Sequence, residues 1–426
     1  MGRYGEQLWS PDPAAPARGR RVGVYRPYCP DPLAASPPAF PRDLLSRATA
    51  IEASIRALRG TATVSLERAA GFLLRSEAIG SARMEGIRVA PQQVALAEFA
   101  ATAATTATAA TVAAGTAIEG FSVSAREVAH TIATLRQAVT DAAQGRTITV
   151  DGIVDLQRTL LPEHSGIGPR TVQTWLGGSE WNPLDAAFVP PPASAVEGLL
   201  ADLATYASDG RHPALILAGL VHAQFETIQP FADGNGRVGR ALIHALLARR
   251  GLLGPAVLPI SLVFMTRSDE YVAALTAFCH DGPPDSAAAH AALRQWLTFF
   301  LDAAAAAVEE TRRFTVELAA LRRSWDVRLS AFRNRTTVFR NKPWEPSMSD
   351  QLLAALPESP VLTEVSAARR LDVPPRTARA AAEELVAAGI LRRRQIGRGT
   401  IGYLSREVSD LFSSAERRLT TSRKRS

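Results

Sequence analysis

Residues 222–240 read HAQFETIQPFADGNGRVGR, and they contain the residue types that hold phosphate. Gly234, Asn235 and Gly236 tolerate left-handed backbone, so successive N–H groups can turn inward as a concave anion site. A helical pattern starts at once, adding the free amides and positive end of a helix N-terminus. Arg237 and Arg240 stand three residues apart at that start, on one helix face, with guanidinium forks matched to phosphate oxygens. Asp233 is a hard oxygen ligand just before the loop, suited to Mg2+ bridging two phosphates. Phe231 is apolar and anchors the loop to a core. A lone glycine pair would indicate only a tight helix-capping turn. Here Pro230, Phe231, Asp233, Gly234, Asn235, Gly236, Arg237 and Arg240 are all specified within one short run, which predicts a site for a magnesium-bound nucleoside polyphosphate.

The segment resembles the Fic (Fido) family of protein adenylyltransferases, whose signature is HPFxDGNGRxxR. The approach run HAQFETI, the stretch RTVQTWLGG…FVPPP at 170–192, LPI…Y at 258–271 and WLTFFL at 296–301 are also similar to Fic proteins, so the resemblance covers roughly residues 40–310. It implies transfer of AMP from ATP to a Ser, Thr or Tyr hydroxyl of a protein target. It implies that Asp233 binds Mg2+, and that Gly234, Asn235 and Gly236 surround the α- and β-phosphates. Arg237 would hold the β-phosphate and Arg240 the γ-phosphate. Thr171, Val172, Gln173, Thr174 and Trp175 would form a flap that lines the target by strand addition.

One departure bears on catalysis. The family's first motif position is a histidine that accepts the proton of the attacking hydroxyl, and here it is Gln229. Gln229 and Asn235 are the positions assigned to the catalytic step. An amide donates and accepts hydrogen bonds but takes up no proton at biological pH, and losing a positioned base costs about 10²–10⁴-fold. His222 lies two helical turns earlier, roughly 10 Å away along the axis, and reads as a packing histidine. Glu226, three residues before Gln229, reads as an acceptor capping the loop, with a substitute base as the alternative. The expectation is a nucleotide-binding Fic protein with weak or absent transfer.

Ser81-Ala-Arg-Met-Glu85-Gly86 resembles the family's inhibitory helix, Ser/Thr-x-x-x-Glu-Gly/Asn. A glutamate there can pair bidentately with the arginine meant for the γ-phosphate, so Glu85 is expected to meet Arg240, with Ser81 and Gly86 completing the motif. The plainer alternative is a surface glutamate before a helix-ending glycine.

These residues need elements to place them. At 426 residues, with 46% apolar and 21% charged residues, the chain is long enough for two or three domains. Abundant alanine and few aromatics predict an all-α fold: a helical Fic core, a small β-hairpin flap and a C-terminal winged helix-turn-helix. No apolar run spans a membrane and no secretory signal is visible. The two cysteines, Cys29 and Cys279, make no zinc spacing or disulfide scaffold, so the expected address is the cytoplasm. A net charge of +7 favours polyanionic partners.

Residues 1–42 read as an extended Pro/Arg-rich arm and 43–125 as an N-terminal helical region. Helices are expected over Asp43–Arg59 and Leu66–Ser76, with a short one over Ser81–Met84. The Ala/Thr-rich run at 100–118 reads as an inserted loop or a poorly packed helix. Residues 126–318 read as the Fic domain, 319–349 as a connecting helix and linker, and 407–426 as a basic tail whose end, Arg417–Arg425, is expected to be disordered. Over 350–406 a helix at Ser366–Leu371, a turn, a helix at Arg376–Ala388 and a hairpin around Gly397-Arg398-Gly399 follow the order of a winged helix. Arg376, Thr377, Arg379 and Arg398 are the candidate contacts to duplex DNA; dimerisation or target docking is the alternative use. Homo-oligomerisation stays open.

Overall fold

The computed structural model describes residues 2–11, 13–58, 66–105, 118–162, 166–208, 211–254, 256–336 and 346–423. Helices dominate. In chain order they are α1 (Arg42–Ala57), α2 (Leu66–Met84), α3 (Pro91–Thr105), α4 (Val123–Ala143), α5 (Val150–Leu160), α6 (Ala193–Ser208), α7 (Ala214–Ile228) and α8 (Asn235–Arg249). They continue with α9 (Ile260–Thr266), α10 (Ser268–Phe278), α11 (Ala287–Thr336), α12 (Met348–Ala355), α13 (Glu364–Leu371), α14 (Pro375–Ala387) and α15 (Arg406–Arg423). The chain divides into two compact units. The first comprises Met1–Arg56, Thr134–Gly254 and Arg267–Ala305. The second comprises Ala57–Ala133, Pro255–Thr266 and Ala306–Ser426.

The first unit is built around α7. Its sequence ALILAGLVHAQFETI is apolar on every side, as a helix surrounded by others must be, and every residue but Glu226 is buried. Gly219 makes a close approach possible: a Cβ there would lie 2.9 Å from the Phe300 ring, and the Gly219 carbonyl accepts the indole N–H of the fully buried Trp296 at 2.8 Å. Antiparallel packing of α8 along α7 makes the helical hairpin that carries the glycine loop at its turn.

Residues 1–42 are not a free arm. Strand β1 (Gly2–Tyr4) pairs antiparallel with β4 (Tyr28–Pro30), and β2 (Gln7–Trp9) with β3 (Gly23–Tyr25). Proline and arginine content suggested an unpaired chain, but the aromatic residues between them supply a small core. Tyr28 is fully buried and donates its hydroxyl hydrogen to the His280 carbonyl at 2.8 Å, and Gln224 of α7 donates to the Asp31 carbonyl at 2.9 Å.

In the second unit α2 is one continuous helix, so Ser81–Met84 is its last turn and not a separate short helix. Gly80 does not break it because the position is needed for packing: a Cβ there would meet the Leu262 backbone nitrogen at 2.6 Å. One turn earlier, the buried Glu77 carboxylate accepts the Ser261 backbone N–H at 2.8 Å and also its hydroxyl, which fixes α9 on α2. Helix α3 was not anticipated; it takes in the first residues of the Ala/Thr-rich run, whose part at 106–117 lies outside the described residues. Arg75 is joined to Glu98 of α3 at 2.7 Å.

The expected connecting segment also differs. Helix α11 runs unbroken to Thr336, so the connecting helix expected after 318 is a continuation of the helix before it, and Trp325 and Leu329 on it are buried. Beyond it, α12, strand β5 (Val361–Thr363), α13, α14, and strands β6 (Arg392–Gly397) and β7 (Thr400–Leu404) form a compact group whose antiparallel sheet has the order β5-β7-β6. Thr363 and Ser366 form a capping box that starts α13, and Pro375 opens α14 at its first position. Helix α15 runs through the basic tail, so Arg417–Arg423, expected as a disordered end, are helical; residues 424–425 lie outside the described residues. The basic charge hid an apolar stripe in which Val408, Phe412 and Ala415 are buried, and Arg418 pairs with Glu310 at 2.5 Å and Glu317 at 2.8 Å.

Among the described residues no helix is long and apolar enough to cross a membrane.

Candidate functional site

The loop 229–234 is held from three sides. From within, the Asn235 side chain closes it: its Oδ1 accepts the Phe231 N–H at 2.9 Å and its Nδ2 donates to the Phe231 carbonyl at 2.8 Å. Asn235 is buried and both ends of its amide are used, so its side chain shapes the loop. Its backbone N–H remains at the helix entrance. Phe231 is fully buried against Phe225, the expected anchor.

From α5, the fully buried Gln157 donates to the Asp233 carbonyl at 3.1 Å and the Gly166 carbonyl at 3.4 Å, and accepts the Gly168 N–H at 2.8 Å. The third support is Arg170. Its backbone N–H donates to the Pro230 carbonyl at 2.8 Å. Its guanidinium donates to the carbonyls of Gln229 at 2.8 Å, Val172 at 3.0 Å, Pro191 at 2.5 Å and Ile228 at 3.4 Å. Only 4% of Arg170 is exposed, and burial pushes its guanidinium down to about 10, still charged at neutral pH. Neither residue stood out in the sequence, because their work is done through backbone carbonyls that no side-chain pattern announces. A buried glutamine on an amphipathic helix and an arginine opening a β-prone run were the only available signals.

At the helix entrance only Gly234 is left-handed (φ +84), and a Cβ there would also strike Leu161 at 2.6 Å; Asn235 and Gly236, expected to share that backbone, are instead the first residues of α8. As N-cap it brings no side-chain acceptor, and the first turn of α8 holds no acid, so nothing of that kind neutralises the amide end of the helix. The Asp233 carboxylate accepts the Gly234 N–H at 2.6 Å and stands 3.5 Å from Arg237 Nη2. Asp233 is half exposed while the Arg237 side chain is 11% exposed, and Arg237 Nε is buried without an acceptor. Arg240 is buried.

Helix α8 packs against α7 at Gly239. A Cβ there would lie 2.8 Å from Glu226 Oε1, 3.1 Å from Phe225 and 3.2 Å from His222 Nδ1. His222 is fully buried, with Nε2 2.9 Å from the Tyr271 hydroxyl and its ring stacked with Trp296. Burial first, then the Arg240 guanidinium and His244, push its imidazole down to about 3. It is therefore neutral, and it acts in packing as expected. The consequence is a pH dependence. The unfolded chain's imidazole titrates near its ordinary value of about 6.5, whereas the folded one does not take up a proton until far lower. Stability is fully present above that value and falls by up to about 1.4 kcal/mol per pH unit as pH drops through the window below it. Urea titrations of the unmodified chain and His222→Gln between pH 7.5 and 5 should show a shallower loss in the variant; parallel curves would contradict the assignment.

Sequence reasoning placed the flap strand at 170–175. The structure instead pairs Leu176 with Phe188 in a single antiparallel bridge, with the Leu176 N–H donating to the Phe188 carbonyl at 2.8 Å. Thr171, Val172, Gln173, Thr174 and Trp175 carry no ladder because their contacts are taken elsewhere. The Val172 carbonyl goes to Arg170, Gln173 donates to the Pro190 carbonyl at 3.0 Å, and the Trp175 indole donates to the Ser179 carbonyl at 2.7 Å. Val172 is 62% exposed.

In the second unit, Ser81 is buried and Glu85 is exposed, and Gly86 is left-handed (φ +79). Ile87 N–H returns to the Ala82 carbonyl at 3.0 Å, a helix-ending turn of the glycine type. Arg376, Thr377 and Arg379 are exposed at the start of α14 while Ala378 is buried, and Arg398 is exposed at the β6–β7 turn.

Residues 147–247 match the Fic/DOC family model. The chain is 39% identical over 72 residues to the probable protein adenylyltransferase of Aquifex aeolicus (strain VF5), covering 17% of this chain and 22% of that protein. It is 28% identical over 127 residues to a protein adenylyltransferase of Caenorhabditis briggsae, covering 29% and 23%. It thus spans less than a quarter of the length of these curated relatives. Among solved structures, a Fic family protein from Desulfovibrio desulfuricans G20 aligns over 90% of this chain and 99% of its own at 20% identity and a TM-score of 0.46. Residues 147–247 are thus similar to the Fic/DOC family, and the loop and helix entrance described above lie inside them.

Proposed function

We propose that this chain is a Fic-type protein that binds Mg·ATP at residues 233–240 and transfers AMP to a protein hydroxyl at a low rate. The observation that supports it most is the entrance of α8: a left-handed glycine, an uncapped helix start, and Arg237 with a buried guanidinium nitrogen lacking an acceptor. Such a group is expensive to leave unpaired, and a phosphate oxygen is the acceptor it fits. Asp233 is half exposed beside it. Among the described residues there is no cluster of three or more acidic, histidine or cysteine ligands, which suits a Mg2+ ion carried mainly by phosphates and water with one protein carboxylate. Such an ion would neutralise phosphate charge.

In the transfer, the target's oxygen bonds to the α-phosphorus, the bond from that phosphorus to the bridging oxygen breaks, and pyrophosphate leaves. The hydroxyl proton has no acceptor in the Gln229 amide and must pass to water or a phosphate oxygen, which keeps the rate low. Glu85 restrains nucleotide binding in this reading. Calorimetry with millimolar ATP and Mg2+ tests it. Arg240→Ala should weaken binding at least tenfold, as loss of a charge-assisted contact of about 1.5–3 kcal/mol predicts, and Glu85→Gly should tighten it. No association of ATP with either the unmodified chain or Glu85→Gly ends the proposal.

The exposed Arg376, Thr377, Arg379 and Arg398 favour a second reading, a nucleotide-sensing regulator that contacts duplex DNA through a winged helix. Salt-dependent retardation of a duplex, altered by ATP, would support it; no binding at low salt removes it.

A further inference from the structure

We propose that Glu226 is a positioning residue for position 229: its carboxylate turns the Gln229 amide so that only the carbonyl oxygen is offered to an incoming hydroxyl, and the same carboxylate would brace a histidine placed there. This rests on the reading of residues 229–240 as an AMP-transfer site.

Gln229 is one of two non-glycine residues with positive φ among the described residues. It closes α7 at φ 46, ψ 60, a conformation that is costly for a side chain with a Cβ and is kept where surrounding bonds enforce it. Here they do. The Gln229 N–H donates to the Phe225 carbonyl at 3.0 Å, its carbonyl accepts from Arg170 at 2.8 Å, and the next carbonyl, of Pro230, accepts the Arg170 N–H. With the backbone fixed, the side chain folds back over the last turn of α7. Its Nε2 donates to the Glu226 carbonyl at 3.0 Å and to Glu226 Oε2 at 3.0 Å.

Both partners are acceptors, one a backbone carbonyl and the other a carboxylate, so chemistry alone dictates which end of the amide faces them. Both amide hydrogens are directed at Glu226, and the oxygen is what remains to be presented. Glu226 is itself confined: it is the one residue of α7 that is not fully buried, yet its Oε1 is buried and sits where a side chain at 239 would collide. The glycine at 239 is the space in which the carboxylate stands. Glu226 is thus spent on orienting its neighbour and is not placed as the base. Position 229 accepts a hydrogen bond from a hydroxyl donor without removing its proton. An imidazole there would direct its N–H to the same carboxylate, leaving the second nitrogen as base with its basicity raised.

Two measurements on the full chain decide this. Transfer of labelled AMP is followed against pH for Gln229→His and for Gln229→His/Glu226→Gln. The single variant should show an apparent pKa above the ordinary histidine value. The double variant should show it lower by about one unit, the scale of a lost neighbouring charge, with kcat reduced roughly tenfold and ATP affinity unchanged. Separately, the side-chain amide protons of Gln229, identified by their loss in Gln229→Ala, should exchange slowly in the unmodified chain and at least tenfold faster in Glu226→Ala. Identical pH profiles, or unprotected amide protons in the unmodified chain, overturn the positioning role while leaving AMP transfer standing. If Gln229→His binds ATP but transfers nothing, the transfer reading has failed and amide exchange alone decides the role of Glu226.

Discussion

Gln229→His raises AMP transfer to protein by about 10²–10⁴-fold, the usual contribution of a positioned general base. The expectation follows from what the structure leaves unchanged. Asn235 closes the loop by bonding Phe231 at both ends, Gln157 supports the Asp233 carbonyl, and Arg170 grips the carbonyl of residue 229. None of these contacts uses the side chain of residue 229, so the substitution exchanges an amide for an imidazole on a backbone already fixed. ATP affinity should change by less than about threefold, because the amides and the two arginines proposed to hold phosphate lie elsewhere. The gain belongs in kcat, since the base acts in the transition state and adds nothing to ground-state binding. Labelling gels with matched ATP titrations check both statements. A gain confined to KM would mean that residue 229 contacts the nucleotide instead of the attacking hydroxyl.

Arg170→Met is expected to cost about 3–5 kcal/mol of folding stability, the range found when one partner of a buried charged network is removed. Methionine roughly fills the volume but leaves the carbonyls of Gln229, Val172, Pro191 and Ile228 without the donor that satisfies them. Each buried acceptor stripped in this way costs about 1–3 kcal/mol, and the losses are not additive because the loop can relax toward water. Arg170→Lys should recover part of the loss, since a single ammonium cannot reproduce a planar fork reaching several carbonyls. Urea unfolding of the three proteins at neutral pH provides the comparison. Equal midpoints for Met and Arg would show that the clamp is dispensable.

The glycine loop was legible because its chemistry is local. A left-handed glycine followed at once by a helix start is read from DGNGRVGR itself, and Gly234 stands there before α8; the helical backbone of Asn235 and Gly236 was not read, because both residues tolerate either conformation. Helices α7 and α8 were legible as the long apolar runs on either side of the loop. What escaped notice was nonlocal. The Glu226–Gln229 bond depends on a left-handed residue at the end of α7, and glutamine is not a residue from which that conformation is read. Arg170 and Gln157 act on carbonyls of residues far away in the chain. Residues 1–42 read as an extended arm because composition averages over Tyr25 and Tyr28, whose burial gives that segment a core. The arginines of 406–423 masked Val408, Phe412 and Ala415 in the same way. Ser81–Met84 read as a separate short helix, whereas α2 is continuous and Gly80 within it is a contact between backbones.

The C-terminal helix α15 has a practical consequence. Composition invites an experimenter to trim the chain near residue 406 as a flexible basic end before biochemical work. That cut would bare the hydrophobic seat of Phe412 and take Arg418 from the buried Glu310 carboxylate. The shortened protein would be expected to precipitate or lose heat resistance, and a loss of labelling by it would report damaged folding instead of a regulatory segment removed.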